Sequence, residues 1–298
     1  MQTCVRTDRD LGIRERIAFV PRDGDRQLFT CLHEPDGAIT GAVLICPSVL
    51  ADFVSNYQRE VHLARELAAA GVATLRYHPT GMGDSDGDPA RVTLDTLSAD
   101  AVWATDALRT MVGNVPIGFL GVRWGALAAV AAARAIAPPP VPMVLIEPVA
   151  DFRRFFREAW RSRAMSALAA SDDPAAKKQK LVDVLSSQGF ADIVGNVLHR
   201  PLYDSAENVD ALGEFDGVIG ETLVVQFRGK ELRPELRAVV ERLRAGGGAV
   251  DTATADVEES WWFRSGPRII LDPELNEIVT TWVVEHLARV EAADDRLV

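Results

Sequence analysis

The sequence predicts an α/β protein with a mostly parallel central sheet covered by helices on both faces and one inserted helical segment. Three observations predict it. Short apolar runs alternate with stretches of helical period between residues 42 and 146, as strands buried on both faces do. The rhythm stops over 151–220 and then resumes. A strand–turn–helix junction with glycine on both sides of the turn falls at 121–125.

The elements follow in order. Residues 14–20 and 27–33 flank the turn Pro21-Arg22-Asp23-Gly24-Asp25 and predict a hairpin. AVLIC at 42–46 predicts a buried strand, and 56–70 a helix that Gly71 stops. VATLRY at 72–77 is the next strand, followed by the glycine- and aspartate-rich loop HPTGMGDSDGDP. Residues 93–112 have helical period, 115–120 (VPIGFL) read as a strand, 126–136 as an alanine-rich helix and 141–146 (VPMVLI) as another strand. Between 151 and 220 only helical or loop signals occur. A strand at 222–227, a helix at 234–245, a triple-glycine turn, a strand at 249–255 and a helix at 276–290 complete the chain. Residues 1–150 and 221–298 are therefore expected to form one core, with 151–220 as a helical cap inserted into it.

Composition narrows the function classes. With 298 residues, 48% of them hydrophobic, the chain can bury a large core. A net charge of −11 argues against a nucleic-acid partner, because phosphate binding needs a basic footprint. Cys4, Cys31 and Cys46 give neither a disulfide framework nor a zinc pattern. The polar start MQTCVRTDRD and the absence of a membrane-length apolar run lead to the expectation of a soluble cytoplasmic protein with no membrane span. A homo-oligomer is compatible with these features.

The junction Gly121-Val122-Arg123-Trp124-Gly125 carries the most information. Flanking glycines there permit a strained turn that lifts the central side chain above the sheet. Taken with RELAAAGVATLRYHPTGMGDSDGDP and Glu147-Pro148-Val149, the chain resembles α/β-hydrolases of the serine-aminopeptidase type. More narrowly it resembles the exosortase-A-system-associated hydrolase family, whose elbow bears an arginine followed by Gly-Ala, as in Arg123-Trp124-Gly125-Ala126. The resemblance covers most of 15–290 and is weakest in the cap. It implies the α/β-hydrolase fold, with Arg123 where the fold's hydrolases carry serine.

Position by position, the Ser-His-Asp arrangement is not legible. A guanidinium cannot attack a carbonyl. The segment 256–271, where the base is expected, holds none of the five histidines His33, His62, His78, His199 and His286. The usual acid loop, 227–234, offers Glu231, about one position from the pattern.

Arg123 has two readings: a structural arginine salt-bridged in a vestigial pocket, or a group that binds carboxylate or phosphate. A cation at a helix N-terminus opposes the macrodipole, so either reading requires an anionic neighbour. Glu147, at the end of a strand on the same sheet edge, is the expected partner. It is also a candidate base, although an arginine partner would weaken it in that role. An oxyanion-type site is expected from the backbone N–H of Trp124 and from the loop near Ser48 and Val49.

His78, where the family carries aspartate, is a catalytic candidate or a structural hydrogen-bonding residue. Trp261 and Trp262 would floor an aromatic pocket or merely pack. Phe152, Phe155, Phe156 and Trp160 share one helical face, with Arg153, Arg157 and Arg161 on another, as an amphipathic lid helix would have. Asp84, Asp86 and Asp88 alternate like the start of a calcium loop, but the remaining ligand pattern is missing. Gly81-Met82-Gly83 opens no dinucleotide fingerprint. No metal and no cofactor are expected.

Three functions remain open from the sequence. The first is a divergent non-hydrolytic enzyme or binding protein for an anionic or acyl small molecule. The second is a catalytically dead scaffold, and the third a hydrolase with relocated residues such as Ser48 and His78.

Overall fold

The computed structural model describes residues 3–136, 141–170, 180–257 and 272–294. The chain opens with three strands, β1 (Thr3–Asp8), β2 (Ile13–Asp23) and β3 (Arg26–Pro35). Alternation follows: β4 (Gly41–Cys46), α1 (Leu50–Ala69), β5 (Val72–Tyr77), α2 (Leu94–Val112), β6 (Ile117–Val122), α3 (Gly125–Ala135) and β7 (Met143–Ile146). Next come α4 (Phe152–Ala170), α5 (Leu181–Gln188), β8 (Phe190–Ile193), β9 (Asn196–His199) and α6 (Arg200–Glu207). The chain then returns through β10 (Glu221–Phe227), α7 (Pro234–Ala245), β11 (Ala249–Ala255) and α8 (Pro273–Asp294).

Nine of the described strands form one sheet in the order β1-β2-β3-β5-β4-β6-β7-β10-β11. Pairing is antiparallel from β1 through β3 to β5, and parallel from β5 to β11. Strand period 2 divides the core into two layers. Leu44, Phe119 and Leu145 face α2 and α3, whereas Val43, Ile45, Leu120 and Ile146 face α1 and α8. Coverage on both faces explains why β4 to β7 are buried at every position and read as continuous apolar runs.

The polar N-terminal residues form the edge strand β1. Two expectations need correction. The helix expected from residue 56 begins at Leu50, so its first turn carries Asp52. Residues 151–220 are not purely helical: β8 and β9 pair as a hairpin, with Val194 and Gly195 both at positive φ in the two-residue turn. Two positive φ values define the turn that matches strand twist. Among the described residues no helix is long and apolar enough to cross a membrane.

Candidate functional site

The elbow forms as its glycine spacing requires. Arg123 links β6 to α3 with φ +54°, a left-handed value uncommon for a residue with a side chain. The two glycines permit tight contacts around it. A Cβ on Gly125 would stand 2.0 Å from the Cys46 carbonyl oxygen, and one on Gly121 would stand 2.5 Å from Ala126 Cα. The loop after β4 and the first turn of α3 thus press directly against each other. Glu147 at the end of β7 and Leu50 at the start of α1 also take positive φ. Such strained non-glycine positions gather where surrounding structure over-determines the backbone.

The partner of Arg123 is not the Glu147 carboxylate. Arg123 Nε donates to Asp52 Oδ2 at 3.0 Å, and Nη1 donates to the Glu147 backbone carbonyl at 3.4 Å. The Asp52 side chain is 1% exposed and that of Arg123 13%. Burial pushes the Asp52 carboxyl up, and the Arg123 charge opposes that shift. The Ser48 hydroxyl lies close enough to favour the ionised form of Asp52, yet it makes no hydrogen bond of ordinary geometry among the described residues.

Glu147 is engaged elsewhere. Its carboxylate accepts the Phe227 N–H at 2.5 Å and pairs with Arg233. Its own N–H donates to the Val225 carbonyl at 3.0 Å. It therefore clamps the ends of β7 and β10 to the residue that precedes α7.

Two cavities meet at Arg123. One, of about 300 Å³, is lined by Arg123, Arg154 and Arg233, with Glu147, Glu158 and Glu235 among their neighbours. Arg154 pairs with Glu158 at 2.8 Å and with Glu235 at 3.6 Å. The other cavity is narrow, about 30 Å³, and mostly apolar. Arg123, Phe155 and Glu158 line both. The Arg123 guanidinium carbon lies 5.7 Å from the centre of the Phe155 ring, within cation–π range.

Trp124 is buried at the head of α3 and packs against Phe152, Phe155 and Phe156, with centroids 4.4, 5.2 and 5.6 Å away. The aromatic face of α4 is thereby fixed over the elbow, in keeping with its helical spacing. Trp124 and Ser48 line neither cavity that contains Arg123, and Val49 lines a separate groove. Trp261 and Trp262 lie outside the described residues.

His78 is enclosed rather than presented. Its ring stacks on Phe29 at 4.3 Å and touches Phe53 and Tyr57, and Nδ1 accepts the Asp84 N–H at 3.0 Å. Burial pushes its pKa down to about 4, so it is neutral near pH 7 with its proton on Nε2. Neither Ser48 Oγ nor His78 Nε2 has a hydrogen-bond partner among the described residues, so no Ser48–His78 dyad is formed. His286 is at the opposite sheet edge, stacked on Trp282 and near Glu221 at the start of β10. Among the described residues no group of three His, Cys, Asp or Glu side chains could hold a metal ion.

Known structures share this architecture. Est1E from Butyrivibrio proteoclasticus, solved with ferulic acid bound, aligns with a TM-score of 0.60 at 16% identity over 91% of this chain and 99% of its own. An esterase from Pyrococcus furiosus gives 0.63 at 14% identity, covering 95% and 94%. A proline iminopeptidase-related protein from Thermus thermophilus gives 0.54 at 19% identity, covering 92% and 99%. No family model and no curated protein matches the chain. The likeness is one of fold: the protein has the α/β-hydrolase fold, with a mostly parallel sheet and flanking helices.

Proposed function

We propose that this protein is a divergent member of the α/β-hydrolase group, akin to the exosortase-A-system-associated hydrolases, that binds or transforms an anionic or acyl small molecule without a covalent serine intermediate. In this reading 151–220 caps a core made of 1–150 and 221–298, and the ligand sits beneath the cap. The carrying observation is Arg123 at the strained elbow, held by buried Asp52 and lining the same cavity as Arg154 and Arg233. A nucleophile elbow presents its central residue where the substrate reacts. With arginine there, the site is suited to hold a carboxylate or phosphate oxygen.

The role of each residue follows. Arg123 is the principal anion-binding group, and Arg154 and Arg233 flank it. Glu147 positions Arg233. Main-chain N–H groups of Trp124, the N-cap of α3, and of the loop at Ser48 and Val49 would add positive potential. Trp261 and Trp262 are proposed as further ligand contacts. Cytoplasmic location belongs to the same proposal.

A second reading, a catalytically dead scaffold, draws support from one feature. Arg123, Arg154 and Arg233 already have carboxylate partners, as residues of a vestigial pocket would.

The test is treatment with a fluorophosphonate followed by intact-mass measurement, together with a screen of small carboxylates and phosphates for binding. The expected outcome is no covalent adduct and saturable binding of an anion. A stoichiometric serine adduct refutes the non-hydrolytic reading. The scaffold reading expects neither an adduct nor binding.

A further inference from the structure

The cavities around Arg123 are neighbours. The charged cavity of about 300 Å³ and the narrow cavity of about 30 Å³ share Arg123, Phe155 and Glu158 as wall residues. The narrow one passes between Leu50 and Ala51 of α1, Ala159 of α4, and Ile193 and Val194 of the β8–β9 hairpin. Leu50 also lines a third space, a groove of about 270 Å³ walled by Phe53, Val54, Met82, Val197 and Leu202. The lining therefore changes across the three neighbouring spaces, from one rich in arginine and glutamate to one that is mainly aliphatic and aromatic, with Asn196 and His199 at its rim.

We propose that the ligand is a single-chain amphiphile, with its anionic head in the Arg123 cavity and its alkyl chain running through the neck into the outer groove. This rests on the anion-binding reading above and adds the substrate class. Two features support it. The neck is lined mainly by Leu50, Ala51, Phe155, Ala159, Ile193 and Val194, and space of that kind favours methylenes over water. At the outer end, Val54 is 67% and Val197 47% exposed, which leaves apolar surface for the chain to cover.

The experiment is calorimetric titration of the full chain with butyrate and with dodecanoate below its micelle concentration. Each methylene buried is worth about fourfold in affinity. Dodecanoate is therefore expected to bind one-to-one and at least roughly tenfold tighter than butyrate, with fewer than two buried methylenes already sufficient. Ala159→Trp, which fills the neck, is expected to abolish that gain, bringing the affinities for the two carboxylates together. Val54→Asp and Val197→Asp alter exposed positions and keep the test open if Ala159→Trp fails to fold; each is expected to weaken dodecanoate alone. Butyrate binding with no gain for dodecanoate overturns the amphiphile proposal and leaves the anion site standing. Failure of both carboxylates to bind overturns both readings. A chain-length gain that survives all three substitutions overturns the route through the neck.

Discussion

Arg123 and Asp52, 71 residues apart in sequence, form a buried ion pair of 3.0 Å at the point where β6 turns into α3. The pair satisfies two local demands. A cation beside the N-terminus of α3 opposes that helix's macrodipole, and an acid in the first turn of α1 suits the dipole of its own helix. Joining them ties the elbow to α1.

Removing one partner should cost far more than removing both. Arg123→Gln leaves Asp52 buried without its cation, and a loss of about 3–5 kcal/mol is expected on breaking such a pair. Arg123→Gln/Asp52→Asn, which removes both charges, should lose distinctly less than the sum of the single changes. Urea denaturation of the four proteins in the cycle measures this. Additive losses would show that the two side chains do not depend on each other.

Gly125→Ala should be among the most damaging small substitutions in the chain. Its methyl group would lie 2.0 Å from the Cys46 carbonyl oxygen, a backbone atom with little freedom to move. Overpacking typically costs about 1–3 kcal/mol, and backbone contact places this case at or above the upper end. The thermal midpoint should fall by several degrees, roughly 2–4 °C for each kcal/mol lost in a domain of this size. A midpoint within about 1 °C of wild type would contradict the elbow geometry; that threshold is roughly a quarter to a half of a kcal/mol on the same scale.

Two buried groups should tilt stability with pH in opposite directions. Burial raises the Glu60 carboxyl from its usual 4.5 to about 7, with Arg76 and Arg59 opposing the shift. The folded state thus holds a proton that the unfolded state releases, and the Glu60 contribution falls as pH rises from about 4.5 to 7, by up to roughly 3 kcal/mol. His78, lowered from 6.5 to about 4, works the other way: the unfolded chain binds the extra proton, so stability rises with pH between about 4 and 6.5. The stability of wild type relative to Glu60→Gln should fall as pH rises through that window. The stability of wild type relative to His78→Gln should move in the opposite sense. Denaturation series at pH 4.5, 5.5, 6.5 and 7.5 check both, those settings bracketing the roughly 4–7 range over which the two groups titrate. Parallel curves would contradict the burial of these two groups.

Glu147→Gln should loosen the end of the sheet without unfolding it. The amide can still accept the Phe227 N–H but loses the charge that holds Arg233. A loss of about 1–3 kcal/mol is expected for a charged hydrogen bond at a partly exposed partner. Hydrogen exchange at residues 225–233 should speed up relative to β4. Unchanged protection there would show that the clamp is dispensable.

The fold is legible where local chemistry and tertiary context agree. Gly121 and Gly125 mark the elbow because no other residue fits against Ala126 and Cys46, and the β4 to β7 runs are apolar throughout because both of their faces are covered. The β8–β9 hairpin is hidden by its turn: Val194 takes a positive φ that usually selects Asn or Asp, so the sequence lacks the customary signal. Asp52 escapes sequence reading because α1 starts six residues earlier than its clear apolar period, which leaves that acid in an apparent loop. Glu147 and Arg233 stand 86 residues apart, and nothing local announces the pair that takes Glu147 away from Arg123.

The most direct test of the central claim, that Arg123 at the elbow is an anion-binding group, is calorimetric titration of butyrate into wild type and into Arg123→Gln/Asp52→Asn. The double change keeps the buried pair neutral and hydrogen-bonded, so the variant should melt cooperatively. The account predicts saturable one-to-one binding by wild type and at least a tenfold loss in the variant, about 1.4 kcal/mol. Equal affinity in the two folded proteins would contradict it.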